Sequence, residues 1–562
     1  MSQIVEAVHQ QVREVLLRAL GEAVAAGELP NEPIPAFAVE VPGDRAHGDL
    51  AANIAMVSAR ALHRAPRQIA EALLAHLSLA DTYLERAEVA GPGFLNFFLS
   101  PAFYAGVTED VLRQGEHYGR SDHGQGQRIL VEFVSANPTG PMHIGNARGG
   151  ALGDCLASVL NAAGYEASRE FYVNDAGNQI EKFKLSLETR YLQLFDPSVE
   201  MPEDAYLGED ITAHARAFAE LYGDRYVHED SEVRRQALCD FALPKNIQKL
   251  KDDLAKYRIH YDRWFLESSL HESGAVMAIV EKLRELGHTY EQDGAVWFRS
   301  TAFGDEKDRV LVRANGIPTY LVPDIAYHYN KLVERGYDIA IDVLGADHHG
   351  YVPRMRAALQ ALGVDPKRLD VIIMQMVRLV KNGEVYKLSK RSGKAITLET
   401  LLDEVPIDAA RFFFNQREPN THLEFDMDLA VEQSSQNPVY YVQYAHARIC
   451  SIFKKYAAEG NTYVRAGAGE LEALNAPEER ELIRHLAALT GEIVAAADER
   501  DPSRMTRYST ELATLFHKFY NNCRIFGAEE PLLRARLTLC EAVAIVLRNV
   551  LTLLGIEAPE SM

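Results

Sequence analysis

Two short polar segments, far apart in the chain, hold the side chains best suited to stabilising negative charge. The first reads His-Ile-Gly-Asn at residues 143–146. The second, residues 387–393, contains Lys387, Ser389, Lys390 and Arg391. A histidine at the start of a helix can hydrogen-bond phosphate oxygens, and lysines on a loop can reach neighbouring phosphates. Together the two segments predict a reaction at phosphorus, where charge spreads over the phosphate oxygens in the transition state.

The sequence around the first segment predicts the elements that hold it. An apolar run at 129–134 is typical of a buried strand, and residues 147–163 repeat small and apolar side chains at helical spacing. Gly164 stands where a helix-ending glycine belongs, and residues 167–173 are typical of a second strand. Strand, glycine-containing loop, helix and strand begin a nucleotide-binding βαβ unit. The N-terminus of its helix offers free N–H groups to an anion.

Both polar segments resemble signatures of one enzyme family. Residues 143–146, with residues 132–141 before them, are similar to the HIGH signature of class I aminoacyl-tRNA synthetases in the form that arginyl-tRNA synthetases show. Residues 387–393 look like the KMSKS loop of that family. Alone, the first match would more often be a structural turn and the second a solvated basic loop. Their occurrence together favours the catalytic interpretation.

The resemblance implies roles in ATP binding and catalysis. The catalytic residues that it implies are His143, Asn146, Lys387 and Lys390. The ATP-binding residues that it implies are His143, Gly145, Gly345, Asp347, Lys387, Ser389, Lys390 and Arg391. Asn146 departs from the usual second histidine of the signature, and its amide can donate a hydrogen bond but cannot become cationic. Mg²⁺ is expected to arrive with ATP and needs no dedicated protein cage.

Arginine selection needs acidic side chains, because a planar guanidinium is held best by carboxylates in bidentate geometry. Residues 261–268 and 319–326 are similar to the family segments that line the amino-acid pocket. The resemblance implies five arginine-binding residues: Asn137 for the amino or carboxylate end, Glu267 and Asp324 for the guanidinium, Tyr320 as a ring wall, and His348 in a strand-end loop. His348 and the next histidine could also be read as metal ligands, but no Cys or His lies at zinc spacing from them, so zinc is not expected.

Composition limits the class of protein. The chain has 562 residues, of which 47% are hydrophobic and 25% charged, which predicts a soluble protein of three or four domains. Its five cysteines are widely spaced, which argues against a disulfide framework and predicts a reducing, cytoplasmic location. No apolar span is long enough for a membrane helix. The net charge of −21 argues against nonspecific nucleic-acid binding but allows a local basic face for RNA.

The predicted fold is multidomain α/β. A Rossmann-type catalytic domain with a parallel sheet is predicted at 116–395, with a small insertion at about 190–265. It follows an α+β N-terminal domain at 1–115 and precedes connecting helices at 396–430 and an all-α bundle at 431–562. Three further strand candidates, at 295–298, 309–312 and 339–344, are expected to resume the nucleotide-binding fold after the insertion.

The two ends of the chain also resemble tRNA-contacting domains. Residues 48–56 and 89–97 look like the additional N-terminal domain of arginyl-tRNA synthetases, which touches the tRNA corner, and residues 437–448 and 516–521 look like their anticodon-binding domain. The resemblance implies four tRNA contacts: Asn53, Tyr444, Tyr520 and Met562. Aromatic side chains can stack on splayed bases. The alternative for each is structural, as a helix cap or a core aromatic.

The sequence therefore predicts an arginyl-tRNA synthetase that forms arginyl-adenylate from L-arginine and ATP and transfers the arginyl group to the terminal adenosine of tRNA(Arg). Monomer is the family default. The resemblance also implies that bound tRNA is needed for the activation step. Two alternatives stay open: a class I synthetase for another amino acid, and a noncatalytic tRNA-binding paralogue. Glu267 and Asp324 argue against the first, and His143, Lys387 and Lys390 against the second.

Overall fold

The structure is a computed structural model that describes residues 3–386 and 396–562. Residues 387–395 lie outside the described part, and so do the predicted phosphate-binding residues Lys387, Ser389, Lys390 and Arg391.

The N-terminal part is an α+β unit. Its antiparallel sheet has the strand order β1-β2-β4-β3. Its elements are α1 (Gln3–Ala25), β1 (Val39–Glu40), β2 (Leu50–Ala52), α2 (Ile54–Ser58), α3 (Pro66–Ala75), β3 (Leu84–Ala90), β4 (Phe94–Leu99) and α4 (Pro101–Gln114). Valines and leucines on one face of α1, such as Val12 and Leu16, are fully buried, as expected for an amphipathic helix packed on a core.

The central part contains the βαβ unit that the sequence predicts. Its elements up to the insertion are β5 (Arg128–Phe133), α5 (Ile144–Ala162), β6 (Glu166–Val173), α6 (Gly177–Gln193), α7 (Glu209–Tyr222), α8 (Ser231–Lys256) and β7 (Arg263–Leu266). The elements that follow are α9 (Ser268–Glu272), α10 (Ala275–Glu285), β8 (Thr289–Gln292), β9 (Ala295–Phe298), β10 (Arg309–Val312), α11 (Leu321–Tyr329), β11 (Ile339–Gly345), α12 (Tyr351–Ala361), β12 (Leu369–Met374), β13 (Val377–Lys381) and β14 (Glu384–Val385).

Five of these strands form one parallel sheet in the order β12-β11-β5-β6-β7. In chain order this is the 5-4-1-2-3 arrangement of a Rossmann fold, and the strand order reverses between β5 and β11. Ligands of such sheets bind in the crevice at the carboxyl ends of the two strands that flank the reversal. The loops after Phe133 and Gly345 meet at this crevice, so the fold brings together the predicted ATP-binding residues of these two loops.

Two of the three later strand candidates do not belong to this sheet. Residues 295–298 and 309–312 form β9 and β10, which pair antiparallel with β8 in a separate three-stranded sheet. Only residues 339–344 join the parallel sheet, as β11. The expectation that all three resume the nucleotide-binding fold is therefore wrong. Short apolar runs identify strands but do not identify their pairing partners.

The rest of the chain is mostly helical. It contains α13 (Leu398–Glu404), α14 (Ile407–Phe414), β15 (Leu423–Asp426), α15 (Met427–Val431), α16 (Pro438–Ala458), α17 (Ala468–Leu471), α18 (Pro477–Asp498), α19 (Ser503–Asn522) and α20 (Glu530–Leu553). The predicted fold class is confirmed: a parallel-sheet α/β domain lies between an α+β N-terminal unit and a helical C-terminal bundle. Among the described residues, no helix is both long and apolar enough to cross a bilayer.

Buried ion pairs join the three parts. Asp49 accepts the Leu99 N–H at 2.9 Å and pairs with Arg484 of the bundle at 2.7 Å, so it anchors the N-terminal unit to the bundle. Arg411, fully buried on α14, pairs with Asp154 of α5 and donates to the Leu554 carbonyl at the end of α20. These contacts connect the signature helix α5 to the C-terminal bundle.

Candidate active site

The first signature loop begins with unusual backbone geometry at the end of β5. Val134 and Ser135 have φ angles of 70° and 39°, which non-glycine residues rarely adopt. The turn directs the Ser135 hydroxyl to donate to Glu132 Oε1 at 2.8 Å and to accept the Tyr172 N–H at 3.1 Å. The strained turn thus ties the signature loop to the ends of β5 and β6.

His143 is the N-cap of α5, and its ring is oriented by the helix itself. The Gly145 N–H donates to His143 Nδ1 at 3.1 Å. Because Nδ1 accepts this bond, the ring proton of the neutral imidazole lies on Nε2. Burial within the loop lowers the pKa of His143, although Asp347 opposes the shift. At neutral pH the ring therefore offers one N–H donor beside the positive end of α5.

The next residues of the signature hold this histidine in place. A Cβ atom on Gly145 would lie 3.0 Å from His143 Cε1, so a larger residue would press on the ring. Asn146 Oδ1 accepts the His143 backbone N–H at 3.0 Å, which completes a capping box. Asn146 therefore has a structural function that needs an acceptor and no positive charge.

Asn146→Ala is expected to destabilise the protein by about 1 kcal/mol, because the His143 N–H loses its acceptor. Asn146→Asp keeps an acceptor oxygen and is expected to unfold at the same urea concentration as the parent. Equal urea stability of the Ala variant and the parent would contradict the capping role.

The segment after residue 395 is paired with the first signature loop. The Ile144 N–H donates to the Ile396 carbonyl at 3.1 Å, the Leu398 N–H donates to the Met142 carbonyl at 2.9 Å, and His143 forms a β-bridge with Thr397. Within the described residues, the chain that leaves the second signature is therefore directly beside His143.

The second crevice loop follows β11. Gly345 ends that strand, and Asp347 and His348 lie in a short 3₁₀ turn, where His348 Nε2 is 3.7 Å from Asp347 Oδ2. The influence of Asp347 on the pKa of His143 indicates that the two loops approach each other. Gly345, Asp347 and His348 thus lie at the predicted edge of the sheet, and their roles stay predictions.

Glu267 and Asp324 come together although they lie on different elements. Glu267 follows β7, its N–H donates to the Val173 carbonyl at 3.0 Å, and the residue is 8% exposed. Asp324 lies in the first turn of α11. With its amide oriented to face acceptors, Asn174 donates to Glu267 Oε2 at 3.0 Å. Across residues 3–386 and 396–562, neither carboxylate has an ion pair with Lys or Arg.

This environment disfavours both negative charges. Burial raises the pKa of Asp324 to about 7, the charge of Glu267 adds to the rise, and His328 opposes it. Burial also raises the pKa of Glu267, although the neighbouring Tyr172 hydroxyl and the His271 ring, 3.5 Å from Glu267 Oε1, oppose the rise. Two neighbouring carboxylates with little access to solvent favour binding of a cation, because a cation relieves both the repulsion and the loss of solvation.

Aromatic rings surround this pair. Tyr172, at the end of β6, faces both carboxylates, and burial together with their charge raises its pKa. Burial raises the pKa of Tyr351 on α12, and the charges of Asp324 and Asp342 add to the rise. Tyr320, the predicted ring wall, is 69% exposed, and its hydroxyl accepts from Arg354 at 3.1 Å. Tyr172 is therefore near both carboxylates and Tyr351 is near Asp324, whereas the role of Tyr320 stays a prediction.

Asn137, predicted to hold the amino or carboxylate end of the substrate, lies in the loop between β5 and α5 and is exposed. A helix of the predicted insertion holds this loop, because Asn246 of α8 donates to the Pro138 carbonyl at 2.9 Å. This position is open to a ligand at the crevice.

A buried charge cluster lies beneath the pocket. Lys331, fully buried, pairs with Glu132 of β5 and with Asp342 of β11, the latter at 2.9 Å. Asp342 also pairs with His328 at 2.7 Å. Residues Asn330–Glu334 form a π-helical turn, which directs Lys331 inward at the end of α11. These residues were not predicted. The sequence did contain a signal for this cluster. Glu132 and Asp342 each interrupt an otherwise apolar strand, and a buried acidic residue requires a partner.

The predicted tRNA contacts lie on two surfaces. Asn53 Oδ1 accepts the Ala38 N–H at 2.8 Å, so this amide helps to hold β1 in the N-terminal unit. In the bundle, Tyr444 stacks with Tyr440 at a centroid distance of 6.2 Å, and Arg448 lies 4.1 Å from the centre of the Tyr520 ring. Tyr444 and Tyr520 thus flank one arginine on α16 and α19.

Met562, the fourth predicted contact, is 51% exposed at the end of the C-terminal segment. That segment is held along α16, because Lys454 donates to the Glu560 carbonyl at 3.2 Å and His446 bonds the Pro559 carbonyl at 2.9 Å. The structure brings three of the four predicted residues to the bundle and leaves their tRNA contacts as predictions.

Family models match consecutive parts of the chain. The model of the arginyl tRNA synthetase N terminal domain matches residues 7–99, that of the catalytic domain of class I tRNA synthetases (R) matches residues 107–453, and that of the DALR anticodon binding domain matches residues 442–562. The catalytic match covers more than half of the chain. The fold and the signature-bearing crevice are those of a class I aminoacyl-tRNA synthetase.

Relatives match over the whole length. The Arginine--tRNA ligase of Caldanaerobacter subterraneus subsp. tengcongensis is 53% identical over 562 residues and that of Acetivibrio thermocellus 50% over 564 residues, with 100% of each chain covered. The solved Thermus thermophilus arginyl-tRNA synthetase has a TM-score of 0.71 at 23% identity and covers 99% of this chain and 100% of its own, which shows a shared fold. This chain belongs to the arginyl-tRNA synthetase family.

Proposed function

We propose that this protein is an arginine--tRNA ligase that joins L-arginine to AMP from ATP, with release of diphosphate, and transfers the arginyl group to the terminal adenosine of tRNA(Arg). The observation that carries the choice of amino acid is the Glu267–Asp324 pair. Two carboxylates of raised pKa, without a Lys or Arg ion pair within the described residues, fit the planar guanidinium of arginine. An uncharged amino acid would leave them buried and unpaired, which disfavours its binding.

The chemistry needs no covalent nucleophile of the protein. The arginine carboxylate attacks the α-phosphorus of ATP, and negative charge grows on the phosphate oxygens. His143 Nε2–H donates to those oxygens from the N-terminus of α5, a position that also offers the dipole of the helix. Lys387 and Lys390 neutralise the departing diphosphate, with Ser389 and Arg391 beside them. The pairing of Ile396 and Leu398 with residues 142–144 supports this assignment, since it ties the end of that segment to His143.

The remaining contacts to ATP and arginine are assigned to residues of the crevice loops. Gly145, Gly345 and Asp347 bind the nucleotide, and Asn137 and His348 hold the α-amino or carboxylate end of arginine. Mg²⁺ accompanies the ATP phosphates, which supply its ligands together with water. The tRNA is contacted at two places: by Asn53 in the N-terminal unit and, at the anticodon, by Tyr444, Tyr520 and Met562. We further propose a monomer that acts in the cytoplasm and needs bound tRNA for the activation step.

The pH dependence of arginine use follows from the raised pKa of Asp324. Below pH of about 7 this carboxyl is protonated in the free enzyme, and a neutral acid binds a guanidinium weakly. The kcat/KM for arginine is expected to fall about tenfold per pH unit below 7, while kcat at saturating arginine changes less. Steady-state ATP–pyrophosphate exchange between pH 5.5 and 9 measures both.

Asp324→Asn is expected to remove this titration and leave a low, flat profile. Asp252→Asn, a change at an exposed aspartate of α8, is a matched control that should keep the parent profile. A parent profile that is flat through pH 7 would contradict the assignment of Asp324.

The proposed activity is tested by ATP–pyrophosphate exchange over a panel of amino acids, with homologous tRNA present. Exchange with arginine and not with lysine, glutamine or methionine would support the proposal. Exchange with a different amino acid would identify another class I synthetase. Binding of tRNA without any exchange would identify a noncatalytic paralogue.

A further inference from the structure

Arg148 is a fully buried cation on the signature helix, five residues after His143 on α5. Among the described residues it forms no ion pair with a carboxylate. Its guanidinium donates instead to three backbone carbonyls. Nη1 donates to Gln375 at 2.7 Å and to Thr421 at 3.0 Å, and Nη2 donates to Glu418 at 3.1 Å. An apolar side chain of similar volume would fill this space without the cost of burying a charge, so the carbonyls indicate a specific role for the cation.

The three carbonyls mark the start of two strands. Gln375 lies between β12 and β13, and Glu418 and Thr421 lie just before β15. β13 and β15 run parallel and pair with each other. Their leading loops are also joined, because the Gln375 N–H donates to the Pro419 carbonyl at 2.9 Å. One planar guanidinium, with its donors in a fixed fork, thus holds the beginnings of both strands against α5.

β13 leads directly to the second signature. It pairs antiparallel with β14, after which residue 386 is the last described residue before that signature. The chain returns at Ile396, whose carbonyl accepts the Ile144 N–H at the start of α5. The signature helix therefore holds the chain on both sides of the second signature, by backbone hydrogen bonds after it and by Arg148 before it.

We propose that Arg148 is a positioning residue for adenylate formation. It fixes the starts of β13 and β15 on α5, and so aligns the chain that leads to the second signature with His143 at the N-terminus of the same helix. The inference rests on the proposed function of the two signatures. Because Arg148 is fully buried, it acts on the reaction through these strands and not by contact with ATP or arginine.

The anchoring is measurable on the unmodified protein by native-state hydrogen exchange at low concentrations of urea. The amides of β13 and β15 are expected to open together with those of α5, because the guanidinium joins the three elements. Opening of β13 and β15 at lower urea than α5 would overturn the proposal, whether or not the protein uses arginine.

Kinetics with homologous tRNA present separate positioning from general damage. Arg148→Lys keeps the cation but lacks the planar fork that reaches both loops, so kcat for arginine-dependent exchange is expected to fall on the order of a hundredfold. KM for arginine should stay within about twofold, because Glu267 and Asp324 lie on other elements. Arg216→Lys, at an exposed arginine of α7, is the matched control and should change neither constant.

A double-mutant cycle tests whether Arg148 acts through the second signature. In a Lys390→Ala background, Arg148→Lys is expected to lower kcat by less than about threefold, because the group that it helps to align is already absent. An equal loss in both backgrounds would indicate damage elsewhere and overturn the proposal, as would a loss confined to KM for arginine. If the Lys variant does not fold, Arg148→Met, which is of similar length and buries no charge, takes its place in the cycle.

An absence of arginine-dependent exchange in the parent would instead refute the proposed function. The hydrogen-exchange measurement would still decide whether β13 and β15 are joined to α5 as the contacts of Arg148 predict.

Discussion

Asp324→Asn is expected to lower kcat/KM for arginine by about a thousandfold, equivalent to about 4 kcal/mol, while ATP binding is retained. The substitution keeps the shape of the side chain and removes the charge that faces the guanidinium. The bound cation would then face Glu267 alone. Truncating one member of a buried charge pair costs this much because the other member is left without its partner.

The same variant is expected to be more stable than the parent at pH 8. The pKa of Asp324 is about 7 in the folded protein against an ordinary value of 3.8, so the folded state resists ionisation of this group. Stability is therefore lost as the pH rises from about 4 to 7, and asparagine, which does not ionise, avoids that loss. Urea unfolding of the catalytic domain at pH 8 and at pH 5.5 should show a gain that shrinks at the lower pH.

Loss of activity together with a gain in stability would identify Asp324 as a residue kept for binding rather than for folding. Asp252→Asn, the exposed control, should change neither quantity. A variant that loses activity and stability in parallel would contradict this interpretation and indicate a structural role for the carboxyl.

His143→Ala is expected to lower kcat for arginine-dependent exchange by a factor of about 100 to 1,000, with little change in KM for arginine. The imidazole donates from Nε2 where charge develops on phosphate, so its loss affects the transition state more than the bound substrates. Alanine also removes the side chain that accepts the Gly145 N–H at the start of α5.

His143→Asn separates these two effects. Asparagine is a favourable N-cap and can accept the same backbone N–H, but its side chain is shorter than the imidazole. We expect the Asn variant to recover the stability of the parent and to keep the loss in kcat. Recovery of kcat in the Asn variant would show that the histidine acts only as a cap.

The nucleotide-binding half of the fold was predictable from sequence because its local signals agree with one another. The apolar strand, the loop with His143, the small-residue helix and Gly164 all favour one βαβ unit, and the structure contains it as β5, α5 and β6. The separate sheet of β8, β9 and β10 was not predictable in this way. Its strands are four residues each, and such short runs do not specify their partners.

The acidic pair could be predicted, and its surroundings could not. Glu267 and Asp324 were found through a resemblance, whereas Tyr172, Tyr351 and the buried cluster depend on which elements meet at the carboxyl ends of β5, β6 and β11. Asn146 illustrates the same limit. The sequence shows only that it replaces a histidine, and the structure shows that its side-chain oxygen holds the His143 N–H.

The most direct test of the account is arginine-dependent ATP–pyrophosphate exchange, with and without homologous tRNA, in the parent and in a Glu267→Ala, Asp324→Ala double variant. The account predicts exchange with arginine when tRNA is present and its loss in the double variant. Undiminished exchange with arginine in the double variant would contradict the assignment of the pocket, and exchange with another amino acid alone would contradict the proposed activity.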